Sequence, residues 1–356
     1  MPAAAPRIVL LTRAAATRGE GDSALRIVEG LAARGREVEL IRTTPGDPIA
    51  GAVIRECPGL DSVWRHPFAL RTLGHDWHNA GPRVLVVLER GAAEIGLSLA
   101  ERHRIPYLLT VDDFLEPGER LRVSRGWCRG ILAANDELAH DLIRNVGLPA
   151  RLVHVIHPGV ETPDPRPPAA EPSPIVVIGA AGPLSLDGGF GVFLAAARRV
   201  IDQGVDAEFI IAGSGEDEHE LRRRAERSKI VERVTFVADA GDDEPFWDVL
   251  DIYCQPSIVP TVGRGLRHAL ARGVPAIASD VDGVRGLLEH GVTGLRVPPD
   301  DAAALAKAIL DLIADPVLAA SFGEAGRIRI DRDFEPDFEI ERLLDLIDGC
   351  LEPASA

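Results

Sequence analysis

The sequence predicts an α/β protein built from two doubly wound domains. Short apolar segments with the length of strands alternate with amphipathic helices in both halves of the chain. Six prolines between 163 and 174 interrupt this alternation, and so dense a run excludes the interior of a helix or a sheet. The chain of 356 residues is also longer than a single ordinary hydrophobic core requires.

The first half supplies these elements in regular order. Strands are predicted over 7–12, 37–42, 83–89, 106–111 and 130–135, and helices over 22–35, 92–103 and 137–146. In the first helix Leu25, Val28 and Leu31 recur at helical spacing, and Gly35 ends it. Residues 44–82 have the weakest pattern, and we assign no element there.

The second half repeats the alternation. Strands are predicted over 174–179, 207–213, 233–238, 250–256 and 274–279, and helices over 190–203, 216–227, 264–272, 301–314 and 335–350. The expected domains are therefore 1–165 and 166–334, followed by a last helical segment over 335–356. Such domains have parallel sheets covered on both faces, and they bind ligands at the carboxyl ends of their strands.

Composition narrows the classes of function. A net charge of −16 argues against a nucleic-acid partner. Lysine occurs only at Lys229 and Lys307, so a site that needs a cation must use arginine or a helix N-terminus. The four cysteines show no CxxC spacing, and we find neither a signal peptide nor an apolar run long enough for a membrane helix. These features predict a cytoplasmic protein.

Glycine-rich turns follow three of the predicted strands, over 18–24, 179–191 and 212–218. They contribute Gly19, Glu20 and Gly21, then Gly182, then Gly213 and Ser214 as candidate binding residues. Glycine lets a ligand approach the backbone, and the following helix N-terminus favours negative charge. Tight-turn geometry is the alternative explanation for each of them. No Lys-Ser/Thr pair follows, which excludes a Walker loop, and the first turn lacks the GxGxxG spacing.

The segments "LDIYCQPS", "ARGVPAIASDVDGV" and "EHGVTGLRVPPDD" occur in this order in the second half. With them the chain resembles glycosyltransferase family 4, whose members are retaining, sugar-nucleotide-dependent enzymes. The resemblance implies the GT-B architecture, with two Rossmann-like domains facing across a cleft and the last helix crossing back to the first domain. It also implies a nucleoside-diphosphate-sugar donor on the second domain, a glycan or other acceptor on the first, and no metal.

Several side chains of that family are replaced here. The family has a Glu-x7-Glu pair, an arginine and a lysine that face the donor diphosphate, a histidine in the first domain, and an acidic residue after "DGV". At the corresponding positions this chain has Pro260, His268, Ala180 or Ala181, Gly188, Asp112 and Gly286. Two hypotheses therefore stand: an active transferase with substituted groups, or a noncatalytic homologue that serves as a partner or acceptor-binding subunit. An epimerase or phosphorylase on the same fold is a weaker third hypothesis.

The stretch "PTVGRGLRHAL" contains substitutes for the missing cations. Gly263 and Gly265 open a helix, so backbone N–H groups can face a phosphate. Arg264 and Arg267 can bind phosphate in a bidentate manner, and His268 can donate to a ribose or phosphate. The alternatives are that both arginines are solvated on the first turn and that His268 only packs.

Two pairs of aspartates complete the candidates. Asp112 and Asp113 follow a strand and can accept a hydroxyl proton or bind sugar hydroxyls, although a turn-capping role is equally consistent. Asp280 and Asp282 form an Asp-x-Asp pair of the kind that holds a metal in a different transferase architecture. Here the pair falls inside the segment that resembles family 4, so we predict no metal.

Overall fold

The computed structural model describes residues 7–13, 22–46, 48–61, 69, 73, 77, 84–116, 118–163, 175–238 and 245–351. The chain forms two compact units. Unit 1 consists of Met1–Gly159 together with Pro336–Ala356, and unit 2 consists of Val160–Glu335. Most of the proline-rich segment, 164–174, lies outside the described residues, and so does the glycine-rich turn that holds Gly19, Glu20 and Gly21.

Unit 1 contains a parallel sheet. Its described strands are β1 (Ile8–Thr12), β2 (Val38–Arg42), β3 (Ala52–Glu56), β4 (Val84–Val87), β5 (Tyr107–Val111), β6 (Cys128–Ala133) and β7 (Val153–Val155). They pair in the order β3-β2-β1-β4-β5-β6-β7. Strands β1 and β4 are buried along their whole length, which explains why their sequences are continuous apolar runs.

Helices connect these strands. The described helices of this part of the chain are α1 (Asp22–Ala33), α2 (Ala93–His103) and α3 (Asp136–Arg144). Helix α3 begins after Asn135, whose side chain accepts a hydrogen bond of 2.7 Å from the N–H of Leu138. This contact satisfies one of the N–H groups that a helix start leaves open.

Unit 2 contains the second parallel sheet. Its described strands are β8 (Val176–Ala181), β9 (Ala207–Ala212), β10 (Val234–Val237), β11 (Ile252–Gln255), β12 (Ala276–Ser279) and β13 (Leu295–Val297), in the order β10-β9-β8-β11-β12-β13. Its helices are α4 (Phe190–Asp202), α5 (Glu218–Arg227), α6 (Pro245–Asp248), α7 (Arg264–Ala271), α8 (Ala302–Ala314) and α9 (Pro316–Asp333). One apolar cluster contains Phe193 of α4, Phe209 of β9 and Ile309 of α8. A second contains Leu270 of α7 and Ile330 of α9, so both faces of the sheet are covered.

The last helix, α10 (Pro336–Leu351), belongs to unit 1 although it follows unit 2 in the chain. Its residues Ile340, Leu343 and Ile347 are buried in the same cluster as Val28 and Leu31 of α1. The two helices approach closely because α1 has Gly30 at the contact, where a Cβ would overlap the side chain of Ile340.

The sequence patterns missed five of the described strands and helices, of which β7 and α6 have only three and four residues. Strand β3 lies in the stretch without an assigned element, and its half-exposed residues give no clear alternation. Strand β13 is only three residues long. Helix α9 buries Phe322 and Ile330 together with two glycines, Gly323 and Gly326, and a stripe that includes glycine does not look apolar in a sequence. Within the described residues, no helix has the length and apolar character needed to cross a membrane.

Candidate functional site

The order of strands in unit 2 locates a binding crevice. From β8 the chain moves outward to β9 and β10 on one side, and from β11 it moves to β12 and β13 on the other. Ligands of doubly wound sheets bind at this reversal, outside the carboxyl ends of the two central strands. The relevant loops are therefore those that follow β8 and β11.

The loops after β8 and β9 pack directly on each other. The N–H of Gly182 donates to the carbonyl of Ala212 at 3.0 Å, and the N–H of Leu184 donates to that of Ser214 at 2.9 Å. Gly213 has a φ of 139°, and a Cβ there would overlap the carbonyl oxygen of Gly182. Three predicted binding residues thus come together, and close contact between the two loops explains the glycines.

The turn that begins helix α4 contacts the end of β11. Gly189 precedes α4 with a φ of 76°, and a Cβ there would overlap the carbonyl oxygen of Pro256. The N–H of Ile258 donates to the carbonyl of Asp187 at 3.0 Å. The N-terminus of α4 is therefore held beside the segment that leads into α7.

Helix α7 begins with the second glycine pair. Gly263 precedes it with a φ of 64°, and Gly265 leaves room for the hydroxyl of Tyr253, which a Cβ would overlap. Arg264, the first residue of the helix, is exposed. Because α7 starts there, its first N–H groups and the positive end of its dipole lie beside an exposed guanidinium.

Arg267 and His268 lie on the buried side of the same helix. Only 5% of Arg267 is exposed, and its Nη1 donates to the carbonyl of Val262 at 3.1 Å, which braces the turn before the helix. His268 packs against Trp247 with ring centroids 5.6 Å apart. Arg264 is thus exposed at the start of the helix, whereas Arg267 is buried.

The Asp-x-Asp pair after β12 is engaged by arginines. Arg285 contacts Asp280 at 2.9 Å and Asp282 at 3.0 Å, and Arg296 contacts Asp280 at 3.1 Å. Two guanidinium groups therefore occupy the space around these carboxylates that a metal ion would need. In the part of the chain that the structure describes, no group of three or more His, Cys, Asp and Glu side chains could hold a metal ion.

Asp112 and Asp113 follow β5 in unit 1, and each accepts a backbone hydrogen bond. Oδ1 of Asp112 accepts from the N–H of Arg90 at 3.0 Å, and Oδ1 of Asp113 accepts from the N–H of Phe114 at 2.8 Å. Both side chains are exposed, yet surrounding protein displaces part of their hydration and raises the pKa of each carboxyl. The charge of Asp112 raises the pKa of Asp113 further.

Sequence patterns did not single out Glu89, which lies after β4 at the strand reversal of unit 1. Its Oε1 accepts from the hydroxyl of Thr12 at 2.9 Å and from the N–H of Arg13, so β1 and β4 hold it jointly. Its negative charge also contributes to the raised pKa of Asp112. Its position directly after the apolar run "RVLVVL" was the available signal, since polar residues at that end of a strand face the ligand crevice.

Side chains of β11 and of the residues just after it were missed as well. Tyr253, Gln255 and Ser257 are buried and hydrogen-bonded in a line toward the carboxyl end of the strand. Their spacing of two residues was the signal, because it places them on one face.

Two family models match the chain, one on each half. The model described as "Glycosyltransferase Family 4" matches residues 18–164, and the model described as "Glycosyl transferases group 1" matches residues 175–315. Together they cover most of the chain. The chain belongs to glycosyltransferase family 4. The resemblance inferred from the sequence is thereby confirmed.

Individual relatives agree with this assignment. The "Phosphatidyl-myo-inositol mannosyltransferase" of Mycobacterium leprae is 37% identical over 142 residues, which are 39% of this chain and 37% of that protein. The match thus spans little more than a third of that relative's length.

Two solved structures show the same fold. The sucrose-phosphate synthase of Thermosynechococcus elongatus aligns with a TM-score of 0.82 and 20% identity over 97% of this chain and 98% of that one. Anabaena HepE, in complex with UDP and glucose, aligns with a TM-score of 0.79 and 17% identity over 97% and 100% of the two chains. The predicted fold class, two Rossmann-like domains of the GT-B type, is confirmed.

Proposed function

We propose that this protein transfers a sugar from a nucleoside-diphosphate sugar to an acceptor, with the donor bound on unit 2. The observation that carries the proposal is the junction of the loops after β8, β9 and β11 at the strand reversal. This junction holds the N-termini of α4 and α7 in place, and an exposed cation, Arg264, begins α7. Two helix N-termini and a guanidinium suit a diphosphate.

The predicted donor residues divide into two roles in this proposal. Backbone groups at the turns contact the nucleotide, and Arg264 supplies positive charge; the turn residues concerned are Gly182, Gly213, Ser214, Gly263 and Gly265. Arg267 and His268 act from beneath by bracing the turn and packing the helix.

Unit 1 is the acceptor side in the proposal. Asp112 and Asp113 bind acceptor hydroxyls there, and Gly19, Glu20 and Gly21 contribute from the turn after β1. The carboxylates suit this role because they remain exposed while their pKa is raised, which makes them better proton acceptors than ordinary carboxylates.

The donor needs no metal in this scheme, because helix ends and Arg264 offset the charge of the diphosphate. The acceptor is a glycan or another hydroxyl compound. We place the reaction in the cytoplasm, as the sequence predicts, and the thiols of Cys128, Cys254 and Cys350 carry no disulfide, which agrees with a reducing compartment. A structure with the same fold supports a nucleotide donor: HepE was solved in complex with UDP and glucose.

Calorimetric titration with UDP, GDP and ADP and with their glucose and mannose conjugates tests the proposal. We expect one nucleoside diphosphate to bind about as tightly as its sugar conjugate, because Pro260 and His268 replace the Glu-x7-Glu pair of the family and no acid remains in that turn to hold sugar hydroxyls. Binding should survive EDTA. Absence of binding at millimolar concentrations would contradict the proposal and favour a noncatalytic partner subunit. A signal that disappears in EDTA and returns with Mg²⁺ would contradict the metal-free site.

A further inference from the structure

A line of hydrogen-bonded side chains follows strand β11 to its carboxyl end. The hydroxyl oxygen of Tyr253 lies 2.7 Å from Oε1 of Gln255, and Nε2 of Gln255 lies 2.9 Å from Oγ of Ser257. Tyr253 is 0%, Gln255 8% and Ser257 4% exposed. A buried polar line at the strand reversal is unusual, because such groups lose hydration unless each one is satisfied.

The distances give the line a direction. An oxygen–oxygen separation of 2.7 Å is typical of a hydroxyl donor, and a separation of 2.9 Å is typical of an amide donor. Tyr253 therefore donates to the amide oxygen, and the amide nitrogen donates to Ser257. Burial raises the pKa of Tyr253 well above its ordinary value, so its hydroxyl keeps the proton that it donates.

This direction leaves one hydrogen to be accounted for. Because Oγ of Ser257 accepts from Gln255, the hydroxyl hydrogen of Ser257 points elsewhere. Among the described residues of unit 2, which are 160–163, 175–238 and 245–335, no group accepts that hydrogen. A buried hydroxyl without an acceptor is costly, and such a group in a folded protein calls for an external partner.

Ser257 lies where the diphosphate of the proposed function would bind. A Cβ at Gly189, the residue before α4, would come within 3.2 Å of the backbone nitrogen of Ser257. At the other end of the line, Gly265 in the first turn of α7 lies over the hydroxyl of Tyr253. The line thus runs beneath the N-termini of both helices.

We propose that Gln255 is a positioning residue that turns the hydroxyl of Ser257 toward a phosphate of the donor nucleotide. In the family an arginine and a lysine face the diphosphate, and this chain has Ala180 or Ala181 and Gly188 at those positions. Ser257 then supplies part of the hydrogen bonding to phosphate that these residues lack. This inference rests on the proposed function, since it names a further phosphate ligand of the same site.

Calorimetry on four variants tests the role of Gln255 and Ser257. The ligand is the one of UDP, GDP and ADP that the wild type binds most tightly. Ser257→Ala and Gln255→Met should each raise its Kd roughly tenfold, the loss of one hydrogen bond to a charged group, or about 1.4 kcal/mol. The double variant should be no weaker than Ser257→Ala, because Gln255 acts through Ser257. Ser257→Thr keeps the hydroxyl and should bind like the wild type. In Gln255→Met, Tyr253 retains the carbonyl of Ala181 as an acceptor at 3.3 Å, which protects the fold.

Two further measurements separate positioning from damage to the structure. Affinity for the corresponding nucleoside, followed by ligand-detected NMR, should stay unchanged in every variant because the nucleoside lacks phosphate. Ser321→Ala removes a hydroxyl that donates to the carbonyl of Leu318 on α9, and this control should bind like the wild type.

The outcomes that overturn the inference differ from those that overturn the function. If the wild type binds the diphosphate and Ser257→Ala changes its Kd by less than twofold, the inference is wrong and the proposed function stands. If Gln255→Met weakens binding further in the Ser257→Ala background, Gln255 has only a structural role. If the wild type binds none of the three diphosphates, both proposals fail.

Discussion

Arg264 and Arg267 lie three positions apart on helix α7, and the fold gives them different surroundings. Arg264 is exposed beside the helix N-terminus, whereas the guanidinium of Arg267 is buried and donates to the carbonyl of Val262. Sequence alone treats the two residues as equivalent. Their substitution should therefore affect different quantities.

Arg264→Ala should raise the Kd for the bound nucleoside diphosphate roughly tenfold, because one charged hydrogen bond of about 1.5 kcal/mol is lost. Its free energy of unfolding should change by less than about 0.5 kcal/mol, as for other surface substitutions. Arg267→Ala should instead lower the free energy of unfolding by about 1–3 kcal/mol, since a buried hydrogen bond and the packing of its stem disappear. Calorimetry and urea unfolding of both variants measure the contrast, and equal effects on Kd with no effect on stability would contradict it.

Asp112 gives a prediction about pH. Its pKa is raised because surrounding protein displaces part of the hydration of the exposed carboxyl, so the folded protein holds this proton more tightly than the unfolded chain does. Stability is then greatest where the carboxyl is protonated and falls as pH rises from about 4 through the raised pKa. Asp112→Asn removes this loss and keeps an oxygen for the N–H of Arg90. The urea midpoint of Asp112→Asn minus that of the wild type should therefore be larger at pH 7.5 than at pH 4.5.

The matched control is Glu101→Gln on helix α2, which removes one exposed negative charge outside the candidate site. The wild-type protein, the control and Asp112→Asn are compared at both pH values. A midpoint difference for Asp112→Asn that shrinks with rising pH would show that the sign is wrong.

At the scale of elements, the contact between α1 and α10 joins two distant segments of the chain. Glu339 of α10 is 8% exposed and accepts hydrogen bonds from Arg26 of α1 at 3.0 Å and from the N–H of Gly159 at 3.0 Å. A second pair across the same helices, Arg34 with Asp337, is close to the surface, with 67% of the Asp337 side chain exposed. The two pairs offer a test of how burial decides the strength of an ion pair.

Glu339→Gln should lower the free energy of unfolding of unit 1 by about 2–4 kcal/mol, because Arg26 is left without its charge partner in a mostly buried position. Asp337→Asn should cost less than about 1 kcal/mol, since solvent screens the exposed pair. Hydrogen exchange of the amides in Pro336–Leu351 should accelerate strongly in the first variant and little in the second. Similar acceleration in both would mean that burial does not separate the two pairs.

The need for glycine in a turn also depends on the residues that pack against it. Gly189 was not among the candidate residues of the sequence analysis, yet it permits the closest approach between the β8 loop and β11, against Pro256. Gly263 and Gly265 were candidates for ligand contact, and the structure shows a second reason for glycine at each, the φ of 64° at Gly263 and the hydroxyl of Tyr253 beside Gly265. A glycine in a sequence thus indicates a close approach without telling which partner approaches.

For the molecule as a whole, the strand order decides where a ligand can bind. In both sheets the order of the strands reverses near the centre, between β1 and β4 in unit 1 and between β8 and β11 in unit 2. The parallel alternation of strands and helices predicts such sheets, but it does not give the order of the strands. Candidate residues therefore could be placed on loops from the sequence, while their grouping required the structure.

The fold class, the family and most of the strands and helices could be predicted from the amino-acid sequence. These follow from local periodicity and from motif order, which are properties of neighbouring residues. It did not reveal helix α9, whose contact surface is partly glycine, or strand β3, whose residues are half exposed.

Which polar residues lie together became clear from the folded structure. Glu89 is held by Thr12 from another strand, Arg267 is buried by the turn before its helix, and Ser257 is oriented by Gln255. Burial and hydrogen-bond direction depend on segments that are distant in the chain or on the exact path of a turn. A one-dimensional pattern does not contain that information, because residue type specifies what a side chain can donate or accept but not which partner the fold places beside it.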